Sequence, residues 1–384
     1  MTEWAFLVVL TILLATISIG YYTLLKVLAL VKGRKKNIQH FQEDELPRIS
    51  VIIPLYGHYL NIDVKVHEVF SQYPSDKIQV IVVCSAPTHE TLIKVEELKN
   101  LYNFDLILER VRSGKSRAIN MALSRAKEEI CVITDVDTRL ADGALESLVA
   151  NFRNPEVGAV SARIQYYYRD RQDAVYSLLF NKYKSQTKYY EGLIDSCSYA
   201  PGELLGFRRS LVQQLPEDAI CDDLYICWKV RSMGFHCIEE PKSIAYEEPP
   251  LTFKGKLART RRVVVGTLQE AKRFSFMLFS PKYGVFGLLI LPSYLLRIFI
   301  TPFTLVALAL VILQKMFTGF FGAMHFLSTW PLLMAPLASL ILIVVKPIRT
   351  ALMSIIALLT GIFLGIIDYF SGRRPVVWID AKKV

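Results

Sequence analysis

Ile130-Cys131-Val132-Ile133-Thr134-Asp135-Val136-Asp137-Thr138 is the stretch that decides how the chain is read. Ile130 to Thr134 is short, mostly apolar and β-branched, the pattern of a buried strand. Two aspartates, one residue apart, then leave its C-terminal end, where open α/β sheets bind their ligands. Such a pair can share Mg²⁺ with the phosphates of a nucleotide, because that ion takes one or two carboxylates plus substrate oxygens. It serves equally well in a turn, where aspartates satisfy backbone N–H groups. The segment alone does not choose between the two.

Working outward, the upstream chain alternates. Arg48 to Pro54 predicts a first strand stopped by Pro54, followed by a helix over Ile62 to Gln72. Strands over Ile78 to Val83 and Asp105 to Leu108 frame a helix over Glu90 to Asn100, and a helix over Lys115 to Ala126 leads into the opening strand. Strands alternating with helices of this length imply parallel pairing in a doubly wound α/β sheet. Ser113-Gly114-Lys115-Ser116 is not a P-loop, since the position five residues before Gly114 holds Glu109. A Gly-Lys pair opening a helix is nonetheless a place for an anion.

Downstream, a segment rich in tyrosine and arginine (Tyr166 to Arg171) and a helix to Tyr190 precede Ala200-Pro201-Gly202-Glu203-Leu204-Leu205-Gly206-Phe207-Arg208-Arg209. Cys221-Asp222-Asp223-Leu224 then opens a helix through Arg231, ended by Gly234. Paired aspartates at a helix start either cap it and suit its dipole or supply a general base held ionised by the helix end.

The composition is uneven. The 384 residues are 52% hydrophobic and only 21% charged, and the apolar runs lie at the two ends. A net charge of +10 suits an anionic partner. Nucleic acid is excluded, as no basic helix carries base-reading residues. The six cysteines form no CxxC pair, which argues against a zinc site or a disulfide framework and for a reducing compartment.

Trp4 to Val31 exceeds the roughly 20 residues that cross a bilayer, and Lys32, Arg34, Lys35 and Lys36 follow it directly. The uncharged-to-acidic front end and the length of the run argue against a cleaved signal peptide. The positive-inside rule puts the next domain in the cytoplasm. Lys254 to Arg273 predicts an amphipathic helix on the inner membrane surface. Gly284 to Leu313, Phe326 to Val345 and Thr350 to Phe370 are further apolar segments, the middle one (Trp330-Pro331, Pro336) a candidate for re-entry. Arg297 within the first must face protein, water or a headgroup. The expected division is an anchor at 1–36, a cytosolic domain at 47–250, an interfacial region at 251–280, membrane segments at 281–371 and a cytosolic tail at 372–384.

From Arg48 to about Gly266 the order of these pieces resembles the membrane-integrated family 2 glycosyltransferases of GT-A fold, which include hyaluronan, chitin, cellulose and poly-N-acetylglucosamine synthases and ceramide glucosyltransferases. The motifs that carry it are Val51-Ile52-Ile53-Pro54, Gly114-Lys115 with Asn120, Asp135-Val136-Asp137, Gly202 to Arg209, and Asp222-Asp223 followed by Gly234-Phe235. The tail from Gly372 to Trp378 is similar to the cytoplasmic end of such synthases. The resemblance implies that Asp135 and Asp137 hold Mg²⁺ or Mn²⁺ on the diphosphate of a nucleotide-sugar, and that Pro54, Tyr56 and Lys115 border the nucleotide. It further implies that Gly202, Glu203 and Gly206 belong to the acceptor floor, that Asp223 is the base supported by Asp222, and that Arg259 and Arg262 steady the pyrophosphate.

Two departures stand out. The family's acidic residue after the second strand, which contacts the base, is replaced by Cys84-Ser85-Ala86, and the tryptophan of its Q/R-x-x-R-W motif is Val263. The expected activity is inverting, metal-dependent transfer from a nucleotide-sugar, UDP-linked in the first instance, at a cell membrane. The acceptor is a growing polysaccharide or, as the alternative, a membrane lipid of ceramide or polyprenyl type taking a single sugar. A rival of another class is a membrane-anchored binding protein with a degenerate nucleotide fold.

Overall fold

The computed structural model describes residues 16–32, 46–59, 61–167, 175–250, 252–300 and 346–373, with isolated positions at 9, 11, 13, 14, 304, 306–308, 311 and 314. Helix α1 (Tyr21–Lys32) precedes β1 (Ile49–Tyr56), α2 (Ile62–Ser71), β2 (Ile78–Ser85), α3 (His89–Tyr102), β3 (Asp105–Glu109), α4 (Lys115–Leu123) and β4 (Ile130–Thr134). Then come β5 (Arg139–Leu140), α5 (Ala144–Val149), β6 (Val157–Tyr166), α6 (Val175–Ile194), β7 (Leu204–Arg208), α7 (Asp222–Ser232), β8 (His236–Glu247) and α8 (Phe253–Arg273). Two apolar helices, α9 (Phe286–Ile300) and α10 (Lys346–Phe370), close the described chain. The Phe326 to Val345 segment and the tail from Arg374 onward lie outside the described residues.

The strands form one sheet in the order β3-β2-β1-β4-β7-β6-β8-β5. Its first half is parallel, as the alternation predicts. The second half, not read from the sequence, is mixed: β7 runs antiparallel to both β4 and β6, β6 and β8 are parallel, and β5 is an antiparallel edge piece. Successive side chains of a strand face opposite ways. Ile52, Ile81, Ile107 and Ile133 therefore pack with α4 and α7, whereas Val51, Ile53, Val82 and Val132 pack with α2, α3 and α5. Burial on both faces explains the near-continuous apolar runs.

Pro54 does not stop β1, which continues to Tyr56 beside Ser85. Pairing of β1 with β4 ends at Ile52, so the amide hydrogen that proline lacks is not required beyond it. The turn after β4, and with it the two aspartates, thus sits at the C-terminal edge beside the ends of β1 and β2.

The terminal helices are fastened to this domain. Glu191 of α6, fully buried, accepts from Tyr21 Oη at 2.8 Å and from Arg297 Nη2 at 2.9 Å. The Arg297 guanidinium also lies 4.4 Å from the Tyr21 ring centre. Arg297 therefore faces protein, and Tyr21 is buried between helices. Helix α8 is not an isolated surface helix either: α10 lies along one side of it, and its residues Val264 to Thr267 are buried. All six cysteines are free thiols.

Candidate active site

The cleft forms where β4 hands over to its turn. Asp135 N donates to Glu203 O (3.3 Å) and Thr134 Oγ1 donates to the same carbonyl (3.0 Å), tying the loop before β7 to the aspartate pair. From beneath, the buried Lys65 Nζ donates to Thr138 O at 2.7 Å and Tyr59 Oη to Val136 O at 3.1 Å. The turn that carries the aspartates is thus held by backbone anchors on both sides.

Lys115 is the first residue of α4, entered through Gly114 at φ +104°, a conformation that favours glycine. Its ammonium lies 2.8 Å from Asp135 Oδ1 and 3.4 Å from Asp222 Oδ2. Gly202 fits against the same group: a β-carbon there would stand 3.2 Å from Asp223 Cβ and 3.4 Å from Lys115 Nζ. Residues separated by almost 90 positions therefore meet around one cation, Asp135 from one aspartate pair and Asp222 from the other.

Burial sets the electrostatics. It pushes the Asp223 carboxyl up to about 7, helped by the charge of Asp222 and opposed by Lys115. Asp135 rises to about 6 by burial, against the pull of Lys115 and with Asp137 adding repulsion. Lys115 is raised above an ordinary lysine: burial disfavours its charge, but Asp135 and Asp222 outweigh that. Asp223 Oδ1 also accepts from Leu224 N at 2.8 Å, as a residue in the first helical turn can. A carboxyl titrating near neutrality at the rim of a cleft has the properties of a general base.

Pro54, Tyr56, Lys115 and Asp135 line one pocket together with Ser85 and Arg112. The Arg112 guanidinium stacks on the Tyr56 ring at 3.7 Å, and its buried Nη2 has no hydrogen-bond partner among the described residues. Neither Arg112 nor Ser85 was read from the sequence. An acid does stand beside the end of β2, on its neighbour: β2 and β3 end in register, Ser85 beside Glu109. Ser85 Oγ donates to Glu109 Oε2 at 2.5 Å, and Ser113 Oγ donates to Glu109 Oε1. Matching the ends of the two parallel strands would have found this pair.

The remaining expectations divide. Gly202 and Glu203 border the cleft, but Gly206 does not: it sits inside the sheet opposite Val132 and Val160. A β-carbon there would come within 2.5 Å of Leu148 Cδ2, so its small size answers a packing need under α5. Arg259 is engaged by Glu247 through paired bonds of 2.8 and 3.2 Å and lies 3.5 Å from Glu203. Burial and the Glu247 charge push Glu203 up to about 7 despite that guanidinium. Arg262 makes no ion pair among the described residues, and it lies near enough to Cys221 to lower a thiol that burial raises.

No group of three or more His, Cys, Asp or Glu stands together among the described residues as a complete metal cage. Asp135 and Asp137 are oxygen donors of the type that a hard divalent cation takes. Asp135 already holds a positive charge at 2.8 Å, and diphosphate and water oxygens would complete the shell, as they commonly do for Mg²⁺.

Comparison with known proteins agrees with this geometry. Residues 50–215 match the family model described as Glycosyl transferase family 2. A Bacillus subtilis protein named probable glycosyltransferase YdaM is 24% identical over 238 residues, 57% of this chain and 56% of that protein. Poly-beta-1,6-N-acetyl-D-glucosamine synthases of Staphylococcus aureus are 22% identical over 219 residues, 55% of this chain and 52% of theirs. The match thus spans about half the length of these curated relatives. Among solved structures, the mannosyltransferase PcManGT from Pyrobaculum calidifontis, in complex with GDP-Man and Mn²⁺, superposes with a TM-score of 0.72 at 24% identity, over 97% of this chain and 100% of that one. At that identity the likeness establishes a shared fold.

Proposed function

We propose, from the premise that residues 50–215 of this chain form a family 2 glycosyltransferase domain, that the protein transfers a sugar from a nucleotide-sugar to a membrane-held acceptor by a single inverting displacement. The observation that carries this is the meeting of Asp135 and Asp222 at one ammonium, with Asp223 beside it. A leaving diphosphate needs its developing charge neutralised, and preorganised cations do so without reorganisation during the reaction. Lys115 and Arg262 supply that charge. Asp223 takes the proton of the acceptor hydroxyl as its oxygen attacks the anomeric carbon, and attack opposite the leaving group inverts that centre. Asp135 and Asp137 would hold a divalent ion, which would supply further neutralisation of the diphosphate.

The nucleotide base lies over the Tyr56–Arg112 stack. Ser85, its proton committed to Glu109, offers lone pairs to a ring N–H, and Arg112 offers donors to a carbonyl oxygen. Uracil and guanine both present an N–H beside a carbonyl, whereas adenine and cytosine do not. The UDP-sugars and GDP-sugars are therefore the donors to test first.

For the acceptor, a growing polysaccharide agrees with the synthases among the relatives. A single transfer to a membrane lipid is favoured by one specific observation: Val263 is a partly exposed aliphatic side chain where processive synthases carry tryptophan. A bilayer setting is supported by the exposed apolar residues of α1 (Leu30, Val31), α9 (Leu288, Leu296) and α10 (Phe363, Phe370), and by an 18-residue apolar window at Met353–Phe370. With the catalytic domain on the cytoplasmic side, donor and acceptor meet at the inner surface.

The test is turnover of a nucleotide-sugar panel by the full-length protein with Mg²⁺ or Mn²⁺ and membrane lipid, reading nucleoside diphosphate release and product size. Long chains identify a synthase and a single glycolipid the other acceptor. Asp223→Asn is expected to lower turnover about 10²- to 10⁴-fold; turnover that survives the change removes this mechanism.

A further inference from the structure

Helix α8 touches the cleft from two directions. Near its start, Arg259 holds Glu247 and reaches Glu203. Two turns later Gly266 lies against Cys221, the residue before Asp222, so closely that a β-carbon would stand 2.3 Å from its Sγ. Gln269 then grips the same loop. Its Oε1 accepts from Ile220 N at 3.2 Å, and its Nε2 donates to Asp218 O and Oδ2, both at 2.8 Å. Arg273 adds an ion pair to Asp218 at 3.0 Å. The stretch that delivers Asp222 and Asp223 is therefore fastened to α8 over about two turns.

The other side of α8 is held by α10. Gly361 and Gly365, one turn apart, allow the backbones to approach: β-carbons there would lie 2.7 Å from Thr260 Cβ and 2.8 Å from Val264 Cβ. Asp368, 5% exposed, accepts from Arg261 Nε at 2.8 Å and Nη2 at 2.5 Å. Lys256 Nζ donates to Ser354 Oγ at 2.7 Å. Close packing fixes the distance between the helices, and a charged pair far along the contact fixes their register and rotation. On α8 the Arg261 anchor lies two turns before the Gln269 contact to the loop that carries Asp222 and Asp223.

We propose that α10 sets the catalytic geometry through α8, with Asp368 and Gly365 acting as positioning residues for Asp223. The inference rests on the assignment of Asp223 as the base. It adds that the apolar C-terminal helix is part of what aligns the reaction, beyond any service as an anchor. The pocket around Tyr56, Ser85 and Arg112 has no residue on α8, so loosening the contact should cost the alignment of Asp223 more than it costs nucleotide binding. Misplacement by about 1 Å is enough for a roughly 10²-fold loss of rate.

The experiment compares full-length wild type with Asp368→Ala, Asp368→Glu, Gly365→Ala and the exchange Arg261→Asp with Asp368→Arg. It measures kcat, donor KM and the Kd of the nucleoside diphosphate with Mn²⁺. Expected is a fall in kcat of about 10- to 100-fold for Asp368→Ala and Gly365→Ala, with donor KM and Kd within about twofold. Asp368→Glu and the exchanged pair should regain most of kcat. Wild-type kcat in Asp368→Ala and Gly365→Ala would overturn the proposal, as would nucleotide affinity falling in step with kcat, or an exchanged pair no better than the single change. An Asp223→Asn control keeps the two ideas apart. If it turns over normally the base assignment fails, and if it is inactive while the α10 variants are normal only the positioning role fails.

Discussion

The Lys115 ammonium stands 2.8 Å from Asp135 Oδ1, at the mouth of the nucleotide pocket and with Asp222 on its far side. It is both the cation that keeps two half-buried acids together and a ready contact for a diphosphate. Lys115→Met is expected to lower donor affinity about 10- to 100-fold, the scale of a lost hydrogen bond to a charged group. The same change leaves carboxylates uncompensated, which costs about 3–5 kcal/mol when such a pair is well buried. Asp135, already raised to about 6, rises further without its cation and takes up a proton in mild acid. The loss of thermal stability should therefore be clear at about pH 8 and smaller at about pH 5; equal losses at both would contradict this account.

A base held near neutrality must be ionised to act. With Asp223 pushed up to about 7 by burial and by Asp222, about nine-tenths of it is protonated one pH unit below that value. Turnover at saturating donor is expected to rise with pH through about 7. Removing a neighbouring negative charge favours ionisation, so Asp222→Asn should move the acid limb to lower pH, and Glu203→Gln should move it the same way by less. A limb that stays fixed in both variants would mean that another group controls it.

The parallel half of the sheet was legible because each of its strands is buried on both faces and separated from the next by a helix of ordinary length. The mixed half was not. β6 and β8 carry Ser161, Arg163, Glu239 and Glu240 in their interiors, where Glu239 meets Arg163 and Lys188, Lys188 reaches Ser161 and Glu240 accepts from Asn151, so neither strand shows a clean apolar run. The same distinction holds within the site. Asp135, Lys115 and Asp223 stand out by local motif, whereas Glu109 is placed only by strand register and Arg112 only by its stacking on Tyr56. Gly206 was misread because a glycine near a motif looks the same whether it admits a substrate or a leucine.

Arg259 and Arg262 occupy equivalent places in sequence and different ones in space. Arg262→Ala should raise donor KM about tenfold or more by removing a charge-assisted contact to the diphosphate, with little change in melting temperature. Arg259→Ala strands Glu203 and Glu247, and is expected to destabilise the protein by roughly 3–5 kcal/mol before any effect on donor KM. Thermal unfolding and donor kinetics on the two variants, side by side, check the assignment. The reverse pattern would show that Arg259 leaves its carboxylates to meet the donor.

Glu109 never needs to touch the base to govern it. Its carboxylate can only accept when ionised, so the Ser85 proton is directed at Glu109 and the hydroxyl presents lone pairs to the pocket. Glu109→Gln supplies an amide that can donate as well as accept, which frees the Ser85 hydroxyl to turn round. A hydroxyl that donates suits the bare ring nitrogen of cytosine or adenine. The expected outcome is weaker binding of UDP and GDP by about tenfold, the worth of one good hydrogen bond to a charged or oriented partner, together with a narrower gap to CDP and ADP. Calorimetric titration of the four diphosphates into wild type and Glu109→Gln measures both. Because the change lies on β3, away from Asp223, kcat at saturating donor should hold within about threefold. Loss of kcat with the base preference intact would place Glu109 in the support of α4 and Lys115 through Ser113 and Arg117, and not in the choice of base.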